Sequence, residues 1–198
     1  MKDLNLFKNK NSLHFREVFN KIEVLEDLNC DGFLIRSSEK VARSIIASLR
    51  DREKLEIRNK KLEKKFLIGI YGGDDVFNRR VIESLKVDYL VSPEALTRFD
   101  NLKQRDGGLN HVVAKMAKEK GIKIVVDIRD ISGLKGKEKG KRIAKIMQNI
   151  RICRKVGCKI RIASLGRRKG EVVDENGRKS FGVSLGMSSG EIRDCIKF

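Results

Sequence analysis

Short β-branched apolar runs alternating with amphipathic stretches predict an α/β fold: a TIM-like barrel of seven to eight parallel strands, with closure at its C-terminal end left open. Three observations carry that expectation. Residues 66–71, 87–91 and 122–126 are near-continuous apolar runs, as strands buried on both faces require. Helical spacing lies between such runs, as with Leu109, Val112, Val113, Met116 and Ala117. A chain of 198 residues with one proline and no Gly/Ser tract offers no internal boundary, so a single domain over 1–198 is expected. Periodicity alone suits an open doubly wound sheet nearly as well.

Taken in order, residues 3–7 read as a first short strand. Phe15, Val18, Phe19, Ile22, Leu25 and Leu28 recur at helical spacing and predict a helix over 12–28. A second strand follows at 31–36, with Arg36 near its end, and Ser37 or Ser38 can cap a helix burying Val41, Ile45 and Leu49. The charged segment 51–65 contains a candidate third strand at 55–57. Residues 66–71 form a strand that turns through Gly72-Gly73-Asp74-Asp75 into a helix burying Val76, Ile82 and Leu85. After the strand at 122–126, a basic loop is expected over 128–140, then a helix over 138–156 burying Ile143, Ile146, Met147, Ile150 and Cys153. Lys137, Lys141 and Lys145 would form a basic stripe along it. The alternation in residues 158–163 suggests an edge strand or one with a polar face. Residues 181–187 fit strand or helix, and a short helix over 188–198 ends the chain.

Charge bears most directly on function. Forty-five Lys and Arg against 27 Asp and Glu give a net +18, and the excess is uneven. Residues 133–198 hold 18 basic and 6 acidic side chains. A one-sided excess is the footprint of a nucleic-acid partner, whereas a charged thermophile surface would be nearly balanced. No run approaches the ~20 apolar residues that span a bilayer. Residues 1–5 lack a signal peptide's apolar core, and Cys30, Cys153, Cys158 and Cys195 read as buried thiols. A cytoplasmic location with no membrane contact is expected.

The stretch 87–127 stands out for its long loop after a strand, with Arg98, Lys103 and Arg105 ahead of Asp106-Gly107-Gly108 and a helix start. In α/β folds such loops lie at the ligand-binding, carboxyl end of the strands, and a helix amino terminus beside arginines attracts phosphate. Arg98-Phe-Asp-Asn-Leu, then Gln104-Arg105-Asp106-Gly-Gly108-Leu-Asn110-His111 and a helix with Ala114 and Ala117, resembles the signature of ribonuclease P protein component 3. Gly72-Gly73-Asp74, Asn78-Arg79, Glu83 and Val87-Asp88-Tyr89-Leu90 agree in order and spacing. The resemblance covers about residues 1–165. Beyond it, Ser164-Leu165-Gly166-Arg167-Arg168-Lys169 stands where the family has a Ser-Gly-Ala turn and a Leu-Arg-x-Pro segment, so residues 165–198 are divergent.

The resemblance implies a TIM-like barrel and an RNA-binding subunit of ribonuclease P, the endoribonuclease that removes the 5′ leader from precursor tRNA. It implies that the RNA subunit cleaves with its own magnesium, so no cofactor is expected on this chain. Implied partners are ribonuclease P RNA, protein component 2 (as a heterodimer able to form a heterotetramer), the other protein subunits and, indirectly, precursor tRNA. Candidate RNA-binding residues are Arg36, Arg79, Arg98, Arg105, His111, Lys123, Lys159, Arg161, Arg167 and Arg168. The alternative is a stand-alone metal-dependent phosphoesterase on the same barrel. Against it, the chain has only two histidines, His14 and His111, and no His-x-His after its first strand. Gly133-Leu134-Lys135-Gly136-Lys137 is followed by Glu138, not by the Ser or Thr that a phosphate-binding loop uses for magnesium. Asp127 and Asp130 could hold magnesium, but pairing with Arg129 and its neighbours is the expected role. Cys153 and Cys158 are expected to be core thiols, since zinc needs a full ligand set. No catalytic or metal-ligating residue is therefore assigned.

Overall fold

Parallel strands need crossovers, and this chain supplies them until its last strand meets its first. The computed structural model describes residues 3–6, 8, 12–19, 30–58, 65–96 and 106–198. Seven strands, β1 (Asp3–Asn5), β2 (Ser12–Val18), β3 (Gly32–Ile35), β4 (Leu67–Tyr71), β5 (Tyr89–Val91), β6 (Lys123–Asp127) and β7 (Ile160–Ala163), pair in sequence order. Every pairing is parallel. Beyond β7, the Leu165 amide donates to Leu4 O at 3.0 Å and the Leu6 amide to Gly166 O at 2.9 Å, joining the last strand to the first. The result is a nearly closed TIM-like barrel.

Helices α1 (Glu39–Arg58), α2 (Asp75–Ser84), α3 (His111–Glu119), α4 (Ile128–Ser132), α5 (Gly136–Val156), α6 (Glu175–Ser184) and α7 (Ser189–Cys195) accompany the strands. Strand alternation divides the core in two. Leu4, Phe15, Leu34, Tyr71, Tyr89, Val91, Val125, Ala163 and Leu165 fill the barrel interior. Phe33, Ile35, Ile68, Ile70, Leu90, Ile124 and Ile162 face the helices, among them Leu49, Ile82, Ala114 and Ile150.

Several elements differ from the sequence expectation. Residues 12–18 are a strand, not a helix, and 20–28 lie outside the described residues. Phe15 and Val18 are three apart because one faces the interior and the other the helical layer, not because they share a helix face. Residues 55–57 belong to α1, with Leu55 and Ile57 exposed, so β2 supplies the strand assigned to them. The expected loop after β6 is a helical turn, α4, capped by Asp127. Val76 is exposed, and α2 instead buries Asn78, Val81 and Ile82. The lysine stripe on α5 is broken, because Lys145 is buried and Lys141 pairs with Glu138 at 3.2 Å. All four residues of β7 are buried, and the strand extends into contact with β1 rather than ending at an open edge. No eighth strand occurs among the described residues. A 3-10 turn, α6 and α7 occupy the divergent tail.

Candidate nucleic-acid interface

The carboxyl ends of the strands form the barrel mouth, and the last inward-pointing residue of each strand builds it. Glu17 is the last inward residue of β2, with its side chain almost buried, between Arg36 Nε at 3.4 Å and an Arg167 guanidinium nitrogen at 2.6 Å. One carboxylate thus serves two guanidiniums. Arg36 also stacks on Tyr71, its Cζ 3.7 Å from the ring centroid, a cation–π contact in a partly desolvated place. The Tyr71 hydroxyl donates to Asp127 Oδ2 at 3.1 Å and accepts from Arg129 at 3.0 Å. Burial, then the Asp127 charge, push the phenol well above its usual range.

The acids at the mouth are held by arginines. Asp127 is fully buried and lies 3.5 Å from Arg129, while its Oδ1 accepts the Asp130 amide and caps α4. Burial outweighs Arg129 and lifts the Asp127 carboxyl to about 6. Asp130 pairs with Arg142 at 2.6 Å, and Arg142 also donates to Ala95 O at 3.1 Å. A divalent ion would have to displace these guanidiniums to reach either carboxylate. Among the described residues, no group of three His, Cys, Asp or Glu is placed to hold a metal. Beside this network a cleft of about 530 Å³ opens, lined by Arg36, Ser38, Tyr71, Gly73, Phe77 and Arg142.

Buried amides fix the loops that frame the cleft. Asn78 accepts the Gly73 amide at 2.8 Å and donates to Pro93 O and Gly108 O, each at 3.0 Å. Asn149 on α5 donates to Gly107 O at 2.7 Å. Gly108 has φ +74°, and a Cβ there would lie 2.0 Å from Pro93 O, so only glycine fits. The Asp-Gly-Gly turn thus packs against the rest of the barrel, and Asn110 caps α3 through the Val113 amide.

Glu94, in the loop after β5, is fully buried, and burial raises its carboxyl to about 7. Between about 4.5 and about 7 the folded chain holds a proton that the unfolded chain has lost, so stability falls as pH rises through that window. The loss is at most about 3 kcal/mol, at 1.36 kcal/mol per unit. Glu94→Gln should therefore flatten the dependence and be the more stable protein at pH ~8. Urea unfolding at pH ~5 and ~8 checks this: an unchanged difference between the two would show that Glu94 ionises normally. Asp127 and Asp75, both raised to about 6, keep a residual slope in the variant.

The ten candidate RNA contacts do not share one face. Arg36, Arg167 and Arg168 meet at the mouth. His111 opens α3 on the same side and is exposed. Arg79 is exposed midway along α2 and pairs with Glu83 at 2.7 Å. Lys123, Lys159 and Arg161 lie at the opposite end: Lys123 begins β6, Lys159 immediately precedes β7, and Arg161 is its second residue. Arg98 and Arg105 lie outside the described residues. Sequence reasoning passed over Glu17, Tyr71 and Arg142. For the first two a signal existed, since each is the last inward position of its strand.

No protein-family model matches the chain. Among curated proteins, ribonuclease P protein component 3 of Methanococcus maripaludis strain S2 is 27% identical over 126 residues, 63% of this chain and 51% of the relative. The protein of that name from strain C5 is 25% identical over 158 residues, covering 79% and 62%. That of Methanosarcina acetivorans is 31% identical over 86 residues, covering 43% and 33%. The chain spans about half the length of the curated relatives it matches. Among solved structures, a chain of a cryo-EM structure of archaeal ribonuclease P with mature tRNA superimposes with TM-score 0.57 at 21% identity, covering 91% of this chain and 86% of that one. An amidohydrolase crystal structure gives TM-score 0.54 at 12% identity, covering 83% and 40%. Both likenesses show the fold.

Proposed function

We propose that this chain, a homologue of ribonuclease P protein component 3, is an RNA-binding subunit of ribonuclease P, supporting the catalytic RNA in 5′-leader removal from precursor tRNA. The observation that carries this reading is the sequence relationship to proteins of that name. The fold and the basic C-terminal third support it. On this reading the protein is part of a holoenzyme and performs no cleavage itself. Magnesium stays with the RNA, and the chain holds no cofactor. Its partners are ribonuclease P RNA, component 2 in a heterodimer that can pair again, the other protein subunits and, indirectly, precursor tRNA. On this reading it acts in the cytoplasm.

The mouth is the RNA-facing surface in this proposal. Arg36 and Arg167 share the single carboxylate of Glu17, and Arg168, with its side chain 85% exposed, stands beside them. Each can take a phosphate oxygen and release counterions, positioning RNA without reading its sequence. Arg36→Ala with Arg167→Ala should weaken binding to ribonuclease P RNA and lower the slope of log K against log salt by about one for each phosphate no longer neutralised. A slope equal to wild type would place the RNA-binding surface away from the mouth. Reconstitution tests the reading itself. Cleavage of precursor tRNA by the RNA and remaining subunits should rise when this chain is added. No gain, or hydrolysis by this chain alone in magnesium, would overturn the assignment.

A further inference from the structure

The two ends of the barrel differ in how their positive charge is balanced. At the mouth Arg36, Arg129, Arg142 and Arg167 each face a carboxylate within 3.5 Å. At the opposite end Lys123, Lys159 and Arg161 form no ion pair among the described residues. Lys123 pairs in register with Tyr89, and its ammonium lies 5.5 Å from that ring. Arg161 pairs with Val125, an interior residue, and is only 8% exposed. One guanidinium nitrogen donates to Ile160 O at 3.1 Å, while its Nε is buried with no hydrogen-bond partner. Lys159 is exposed and immediately precedes β7.

The three charges act on one another. Burial first, then Arg161 and Lys159, hold the Lys123 ammonium below its usual range, and only Asp88 opposes them. Asp88 is already engaged, accepting the Ile68 amide at 2.7 Å and lying 3.8 Å from Arg50. Beside Lys159 and Arg161 a cleft of about 390 Å³ opens between α5 and α7. Its acids are also taken, Glu191 by Arg154 at 2.7 Å and Asp194 by Lys197 at 3.5 Å. Like charges packed at a barrel end, one of them with an unsatisfied buried donor, cost stability until an external anion neutralises them.

We infer that Lys123, Lys159 and Arg161 form a phosphate-binding site at the amino-terminal end of the barrel, separate from the mouth. Phosphate suits the place better than a single carboxylate, because its several oxygens can accept from two ammoniums and a guanidinium at once. Tyr89, with Phe198 at 6.1 Å, provides an aromatic wall beside it. Taking the phosphate to be part of an RNA backbone rests on the function proposed above, and the site would then give the subunit a second RNA-binding surface, opposite the first.

Amine acylation read by mass spectrometry tests the site on the full chain without any substitution. At constant pH and ionic strength, inorganic phosphate should slow modification of Lys123 and Lys159 about fivefold at about four times its Kd. Lys54, an exposed residue of α1, serves as the control and should not change. Equal reactivity with and without phosphate would overturn the site. Protection by a short single-stranded RNA as well would support a backbone phosphate, while protection by inorganic phosphate alone would overturn the RNA assignment and leave the site. Lys123→Met with Lys159→Met separates the two readings in the reconstituted holoenzyme. Abolished stimulation supports the second RNA-binding surface. Full stimulation removes it while leaving the subunit role intact.

Discussion

Replacing Asn78 with alanine should lower the unfolding free energy by about 3–5 kcal/mol, the combined cost of orphaning several buried backbone groups. Asn78 is fully buried on α2, and its amide joins three segments: the Gly72-Gly73 turn after β4, Pro93 after β5, and Gly108 before α3. Alanine leaves the Gly73 amide and the Pro93 and Gly108 carbonyls without that partner. Urea unfolding should show a lower midpoint at unchanged m. The neighbouring Arg79→Ala is the internal contrast. Arg79 holds one exposed pair with Glu83, so its removal should cost under about 1 kcal/mol. Comparable losses in the two variants would mean that Asn78 is not the clamp its hydrogen bonds describe.

That contrast also marks what a sequence reading can reach. Asn78-Arg79 was legible as a notable dipeptide, but its obvious chemistry belongs to the arginine, while the structure gives the architectural role to the asparagine. Strands β4, β5 and β6 were legible because burial on both faces demands continuous apolar runs. β2 was hidden because it carries Glu17 and Arg16 within a run whose Phe15 and Val18 mimic helical spacing. At the mouth, Arg36 and Arg167 were found as basic residues near strand ends, yet Glu17 between them was not. Parity would have shown it. Phe15 and Glu17, Leu34 and Arg36, and Val125 and Asp127 are successive inward positions, so the last polar residue of each series points into one space. Lys123, Lys159 and Arg161 were recognised as basic, but strands have two ends, and their place at strand starts puts them opposite the mouth.

Besides the backbone bonds of the seam, the divergent tail is tied to the first strand by a buried ion pair, and breaking it from one side should have the second large effect. Arg178 on α6 lies 3.0 Å from Asp3 Oδ1 on β1, with side chains 3% and 6% exposed. That same oxygen accepts the Leu4 amide at 2.8 Å and the Ser164 amide at 3.2 Å, so one carboxylate knits β1, the end of β7 and α6. Arg178→Met strands a buried carboxylate and should cost about 3–5 kcal/mol. The amides of Leu6 and Leu165, which bridge the seam, should then exchange hydrogen faster than those inside β4. The pair is not itself a strong stabiliser: Asp3 Oδ2 and Arg178 Nε are buried without hydrogen-bond partners among the described residues. Adding Asp3→Asn should therefore recover much of the stability, because the amide oxygen still accepts from Ser164 without carrying an uncompensated charge. Additive losses in the double variant, with seam exchange no faster than wild type, would show that the first strand is held by its backbone bonds alone and that the tail contributes nothing to closure.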